Sequence, residues 1–121
     1  KILSKNCFVH SSVMFKKDVA MTCGGYGEEE DVRHLEDYDL WLKLGVLGKL
    51  ANLQIYAVRL TVRGEGISHK NRILQAKRTF KVIKKFRNKY PNYPIALLRS
   101  TARLIVYQFI KKPLRSYISY K

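Results

Sequence analysis

The sequence predicts an α/β fold, and three observations carry that prediction. Two runs rich in β-forming residues, Phe8 to Phe15 and Leu50 to Val62, are interleaved with segments whose apolar residues recur at helical spacing. The 121 residues are 46% hydrophobic, enough for one packed core and too apolar for global disorder. The charges divide unevenly. Residues 1–65 hold nine Lys/Arg and all nine acids, whereas residues 66–121 hold fifteen Lys/Arg and no acid, the entire net charge of +15.

Taken in order, Phe8 to Phe15 reads as a strand. Phe8, His10, Ser12 and Met14 fall on one face, and Val9, Ser11, Val13 and Phe15 on the other. Lys16, Lys17 and Asp18 open a short helix through Thr22, which Gly24-Gly25 ends. Tyr26 to His34, with the acids Glu28, Glu29, Glu30 and Asp31, reads as a solvated loop, because adjacent like charges repel and hold water. A helix then begins near Leu35 and ends near Gly45 or Gly48, with Asp37, Leu40, Trp41 and Leu44 on one face. Asp37 therefore lies at the mouth of that helix on its inward side. The free N–H groups and dipole of a first turn stabilise a carboxylate as an anion. Two uses fit such a group: ordinary helix capping, or a general base at the rim of a buried surface.

Leu50 to Val62 reads as one strand or two short ones, broken by Gly64-Glu65-Gly66, with a loop to Ser68. From His69 to Tyr90 the spacing is helical. Ile73, Ala76, Phe80, Ile83, Phe86 and Tyr90 form a narrow apolar stripe among nine Lys/Arg. Asn88 to Pro94 is a turn, Pro94 suits the first position of a helix to about Lys111, and Pro113 ends it. Cys7 and Cys23 are too few for a disulfide framework and lack metal-ligand spacing, so reduced thiols in a cytosolic setting are expected. The chain opens on Lys1-Ile2-Leu3 without a methionine, as a segment of a longer protein would.

Three stretches together resemble the second half of bacterial family-two glycosyltransferases of the GT-A fold. They are His10 to Lys17 with Gly24-Gly25-Tyr26; Glu36-Asp37-Tyr38-Asp39-Leu40-Trp41-Leu42; and Ala51-Asn52-Leu53 with Gly64 to Ser68. The resemblance covers about residues 6–72. It implies the acceptor-side part of a GT-A nucleotide-diphospho-sugar transferase over residues 1–68, followed by a basic amphipathic helical extension over 69–121.

By the same resemblance, Asp37 is the general base that deprotonates an acceptor hydroxyl as it attacks a nucleotide-activated sugar, and Glu36 shapes that pocket. His10 and Ser11 are candidate hydroxyl contacts, although neighbouring strand residues face opposite ways. Trp41 either stacks on a sugar or belongs to the core, and Asp39 is given a capping or structural role. Arg63 and His69 are candidates for the leaving diphosphate, but the family's Arg-x-His reads Arg63-Gly64-Glu65 here. The family's nucleotide-binding half is not in these residues. Nor is the strand-end Asp-x-Asp in that half that holds a divalent cation, Mg or Mn. The segment alone is therefore expected to turn nothing over.

The basic half rests on physics rather than resemblance. A narrow apolar stripe ringed by Lys and Arg suits a helix lying in a membrane interface, at about 1 kcal/mol per basic residue near anionic lipid. Pro94 to Ile110 is too short, and too interrupted by Arg99 and Arg103, to span a bilayer. The expected partners are a nucleotide-sugar donor, a glycan or lipid-linked acceptor, and the inner face of the cell membrane. The alternative is a non-enzymatic membrane- or nucleic-acid-binding module. No nucleic-acid-reading motif supports the latter, and the acidic cluster opposes it.

Overall fold

The structure, a computed structural model, describes residues 1–59 and 72–109. Among these residues four α-helices follow one another: α1 (Lys17–Thr22), α2 (Glu36–Leu47), α3 (Arg72–Lys85) and α4 (Tyr93–Phe109). Three short 3-10 turns, Ile2–Ser4, His10–Ser12 and Glu30–Val32, join and brace them.

The helix ends follow local chemistry. Gly25 N–H donates to Ala20 O at 2.8 Å and Gly24 N–H to Met21 O at 3.0 Å, a Schellman termination of α1. It needs a left-handed residue, and Gly24 supplies it with φ of 84°. His34 precedes α2 at φ 63°, a costly position for a residue with a Cβ, and its N–H is held by Glu36 Oε1 at 2.8 Å. α2 runs to Leu47, with Gly48 N–H closing on Leu44 O at 2.9 Å.

α3 and α4 form an antiparallel hairpin that α2 and the first turn complete. The larger core contains Leu3, Val32, Tyr38 and Leu42 from the first half, packed with Val82, Ile83, Phe86 and Ala96 from the second. It therefore draws on both sides of the expected division at residue 68. A fully buried leucine such as Leu3 or Leu42 contributes about 2 kcal/mol by leaving water. Tyr38 is buried with them because its hydroxyl donates to the carbonyls of Ile2 and Leu3 at 3.0 and 2.8 Å. A second cluster joins Ala20 to Leu40, Trp41 and Leu44, the face of α2 that the spacing predicts.

The α/β expectation is overturned: the described residues contain no strand and no sheet, so a fragment of a GT-A sheet is not what they build. In place of a strand over Phe8–Phe15 there is extended backbone at Val9, the turn His10–Ser12, and extended backbone again at Val13. Ser12 explains the change. Its N–H and its hydroxyl both donate to Val9 O, at 2.9 and 2.8 Å, a local closure that competes with any ladder. Residues 50–59 are irregular and exposed. Their β-forming side chains have no paired backbone beside them, and β propensity without a partner fixes nothing. The remainder of that predicted strand, Leu60 to Val62, lies outside the described residues, as do Gly64-Glu65-Gly66 and the tail from residue 110.

The acidic run is exposed to solvent, as expected, and part of it is also paired with a helix distant in sequence. Glu29, Glu30 and Asp31 reach Lys85, Arg78 and Lys81 of α3 respectively, the first at 3.4 Å and the last at 2.5 Å. Arg78 is itself buried and also donates to Arg33 O at 3.2 Å. Glu29, Glu30 and Asp31 offset their mutual repulsion by pairing with a basic helix distant in sequence. Gly27 lets the backbone pass this close: a Cβ there would lie 2.8 Å from Val32 and 3.1 Å from Asp39.

Candidate functional site

Two carboxylates of α2 have opposite fates. Asp37 is half-buried at the helix mouth. Its Oδ1 accepts from the N–H of Tyr38 at 2.7 Å, one of the first-turn donors without an intrahelical acceptor, and its Oδ2 accepts weakly from Asn6 Nδ2 at 3.4 Å. It makes no ion pair among the described residues. Asp39, two residues on, is fully buried, with Lys43 Nζ 2.8 Å from Oδ2 and Lys85 Nζ 3.3 Å from Oδ1. Lys43 also donates to Gly25 O at 3.0 Å, so Asp39 ties α2, α3 and the glycine turn together by charge. Asp37-Tyr38-Asp39 has Asp-x-Asp spacing, but positions two apart on a helix point about 200° apart. With Asp39 occupied by two ammonium groups, the pair cannot chelate a cation. No group of three His, Cys, Asp or Glu side chains converges as a metal site among the described residues.

Glu36 stands beside Asp37 at the first helical position. Burial pushes its carboxyl up, but the N–H groups of Glu36 and His34 outweigh this and hold it below its ordinary value.

Trp41 is 3% exposed and anchors an aromatic nest: Phe15 at 5.4 Å and Phe8 at 6.3 Å edge-on, with His10 at 6.0 Å, tilted. His10 also meets Tyr26 edge-on at 5.9 Å. The indole N–H of Trp41 is buried and has no acceptor among the described residues. In front of the nest opens a cleft of about 470 Å³, lined by Phe8, Val13, Phe15 and Trp41 on one side and residues 49–58 on the other.

Of the residues predicted for the site, the structure brings Trp41 to this cleft. Glu36, Asp37, His10 and Ser11 do not line it, and Arg63 and His69 lie outside the described residues. Asp37 connects to the cleft through one residue that sequence reasoning missed. Asn6 donates its amide N–H to Asp37, and its Oδ1 accepts from the N–H of Phe8 at 3.1 Å, so it links the carboxylate to the segment forming the wall. A lone asparagine near the start of a chain carries no signal that would single it out. Phe8 and Phe15 were visible, but a strand would have sent them to opposite faces.

No protein-family model matches the chain, and no solved structure matches it. Over 44 residues, 33% of this chain and 15% of the relative, it is 48% identical to the O-antigen biosynthesis glycosyltransferase WbnJ of Escherichia coli. Over 86 residues, 69% of this chain and 30% of the relative, it is 36% identical to an uncharacterized glycosyltransferase of Haemophilus influenzae. These are partial similarities to bacterial glycosyltransferases. The chain spans under a third of each of these curated relatives. No described helix is long and apolar enough to cross a membrane.

Proposed function

We propose that this chain carries the acceptor-activating segment of an inverting, family-two glycosyltransferase, with Asp37 as general base. The observation that supports this most is the state of that carboxylate. One oxygen is fixed on the helix N-terminus, and among the described residues the other is held only by a long contact from Asn6 and no cation neutralises it. An acceptor hydroxyl can displace Asn6 and donate to Oδ2. Its proton passes to Asp37 as the oxygen bonds to the anomeric carbon. The bond from that carbon to the diphosphate breaks with its electron pair, and the configuration inverts. Asp39 cannot take this role, because it is enclosed and already paired with two lysines.

In this reading the aromatic nest around Trp41 forms the apolar floor beside which the acceptor lies, with Glu36, His10 and Ser11 as nearby polar contacts. Arg63 and His69 are assigned to the leaving diphosphate. A divalent cation, Mg or Mn, would neutralise that diphosphate; lacking a donor set among the described residues, it is assigned to an Asp-x-Asp elsewhere in the protein. The acceptor class is a glycan or lipid-linked glycan of surface polysaccharide synthesis. In this reading the protein lies on the anionic inner face of the cell membrane, as a peripheral protein on the cytoplasmic side, and the charge of residues 66–121 supports it. The test is transfer by the full-length enzyme carrying Asp37→Asn, with donor and a lipid-linked acceptor. Loss of transfer by about 10²-fold or more, with donor binding retained, supports the reading, and near-parental transfer removes Asp37 from the base role.

A further inference from the structure

α4 has two apolar faces, and among the described residues only one of them is packed. Ala96 and Ser100 are buried against α3 and the N-terminal turn, with Tyr93 and Leu104 partly covered on the same side. At 100° per residue, Ile95, Leu98, Ala102, Ile105, Val106 and Phe109 fall within an arc of about 100° that faces away from that packing. These six residues are all exposed; Leu98 retains 71% and Phe109 80% of its surface. Arg99 and Arg103 lie along one flank of the stripe, both exposed and in no ion pair among the described residues.

The charges on α3 are arranged differently. Arg78, Lys81 and Lys85 are paired with Glu30, Asp31 and Glu29, so the acidic loop offsets the positive charge on that side of the hairpin. A negatively charged surface approaching α3 there meets carboxylates among the lysines. Approaching α4, it meets arginine guanidinium groups beside an apolar stripe that no described residue covers, on a helix without an acid.

We propose that the outer face of α4 is the membrane-docking surface. The helix would lie in the plane of an anionic leaflet, with Leu98, Ile105 and Phe109 in the acyl boundary and Arg99 and Arg103 on lipid phosphates. This deepens and rests on the membrane reading above, because it names the face, the orientation and the lipid charge. The acidic loop on α3 sets the orientation by turning its side of the hairpin away from the bilayer.

Co-sedimentation of the full-length protein with vesicles of phosphatidylglycerol and phosphatidylethanolamine tests it, with phosphatidylcholine vesicles as the neutral control. Binding to the anionic vesicles is expected to fall about tenfold or more in Leu98→Glu with Phe109→Glu, and about tenfold in Arg99→Gln with Arg103→Gln. Lys77→Gln with Lys84→Gln on α3 is expected to change it less than about threefold. All these positions are exposed, so unchanged helical circular dichroism and melting temperature will accompany the losses. A parental protein that ignores anionic vesicles overturns the membrane reading itself. Parental binding that survives the α4 variants but is lost with the α3 pair overturns this assignment alone. Leu98→Glu that converts a lipid-free dimer to monomer without weakening vesicle binding gives the face to a second copy, and also overturns it. So does tighter binding to a short duplex DNA than to the vesicles.

Discussion

The carboxylate of Asp39 and the ammonium of Lys43 lie 2.8 Å apart, one helical turn from each other, with the aspartate sealed from water and the lysine almost so. Lys85 completes the arrangement from α3 at 3.3 Å and is the more exposed of the two lysines. Removing the shared anion leaves Lys43 as a poorly hydrated cation without its counter-charge. Asp39→Asn is therefore expected to cost about 3 kcal/mol in a urea unfolding experiment. Lys85→Met, which removes a half-exposed partner while Lys43 remains, is expected to cost under about 1 kcal/mol. Equal costs would show that the pairing with Lys43 is not the dominant contact.

Asp37→Asn is expected to separate chemistry from folding. The asparagine side chain still offers an oxygen to the N–H of Tyr38, so the cap survives and the melting temperature stays within a few degrees of the parent. Transfer falls by about 10²- to 10⁴-fold, because an amide cannot take up the acceptor's proton. The comparison with Asp39→Asn is the sharper test: one variant is expected to be folded and inactive, the other destabilised.

Stability is expected to plateau between about pH 5 and pH 10 and to fall on both sides. Glu29 is held below its ordinary 4.5 by its own backbone N–H and then by the charge of Lys85, and Glu36 is lowered as described. Depressed carboxyls stabilise the fold above their unfolded values, and that contribution is lost as pH drops through the folded ones. Burial pulls Lys85 down, but Asp39 and Glu29 outweigh it and raise its value above the ordinary 10.5. Burial raises the hydroxyls of Tyr38 and Tyr90 above 10.0. Raised groups contribute fully below their unfolded values and lose that contribution as pH climbs toward the folded ones. Urea midpoints at acid, neutral and alkaline pH check this. Tyr38→Phe is expected to lower the neutral midpoint while shrinking the alkaline decline.

Gly45 offers a test of packing against propensity. Alanine is the better helix former by about 1 kcal/mol, yet a Cβ at Gly45 would lie 2.5 Å from the hydroxyl of Tyr90. That hydroxyl donates to Leu42 O at 2.7 Å and cannot yield without breaking the bond. Gly45→Ala is expected to destabilise by about 1 kcal/mol. In a Tyr90→Phe background, where the oxygen is gone, the same change is expected to be neutral or stabilising. A double-mutant cycle by urea unfolding reads the sign.

What could be read from residues alone was what neighbours along the chain decide. The Gly24-Gly25 stop, the inward face of α2 and the turn before α4 all rest on contacts within a few positions. Asp37 and Trp41 were placed on one face for the same reason, and they share it. The failures are contacts between distant residues. Phe8–Phe15 and Leu50–Val62 carry β-forming side chains, but a strand exists only when another backbone pairs with it. The acidic run is hydrated as read, but its ion pairs were missed because their partners, Arg78, Lys81 and Lys85, lie about fifty residues further on. Asn6 and the far wall of the cleft were invisible on the same grounds.

The turn at Ile2–Ser4 bears on how this unit folds. Leu3 is wholly enclosed, Tyr38 binds the carbonyls beside it, and Asn92 reaches Ser4 at 3.1 Å across 88 positions. The pocket that receives Leu3 includes Ile83, Phe86 and Ala96, which are made long after it. Residues 2–4 therefore find their partners only when the hairpin of α3 and α4 is in place, so this unit closes as a whole rather than gradually.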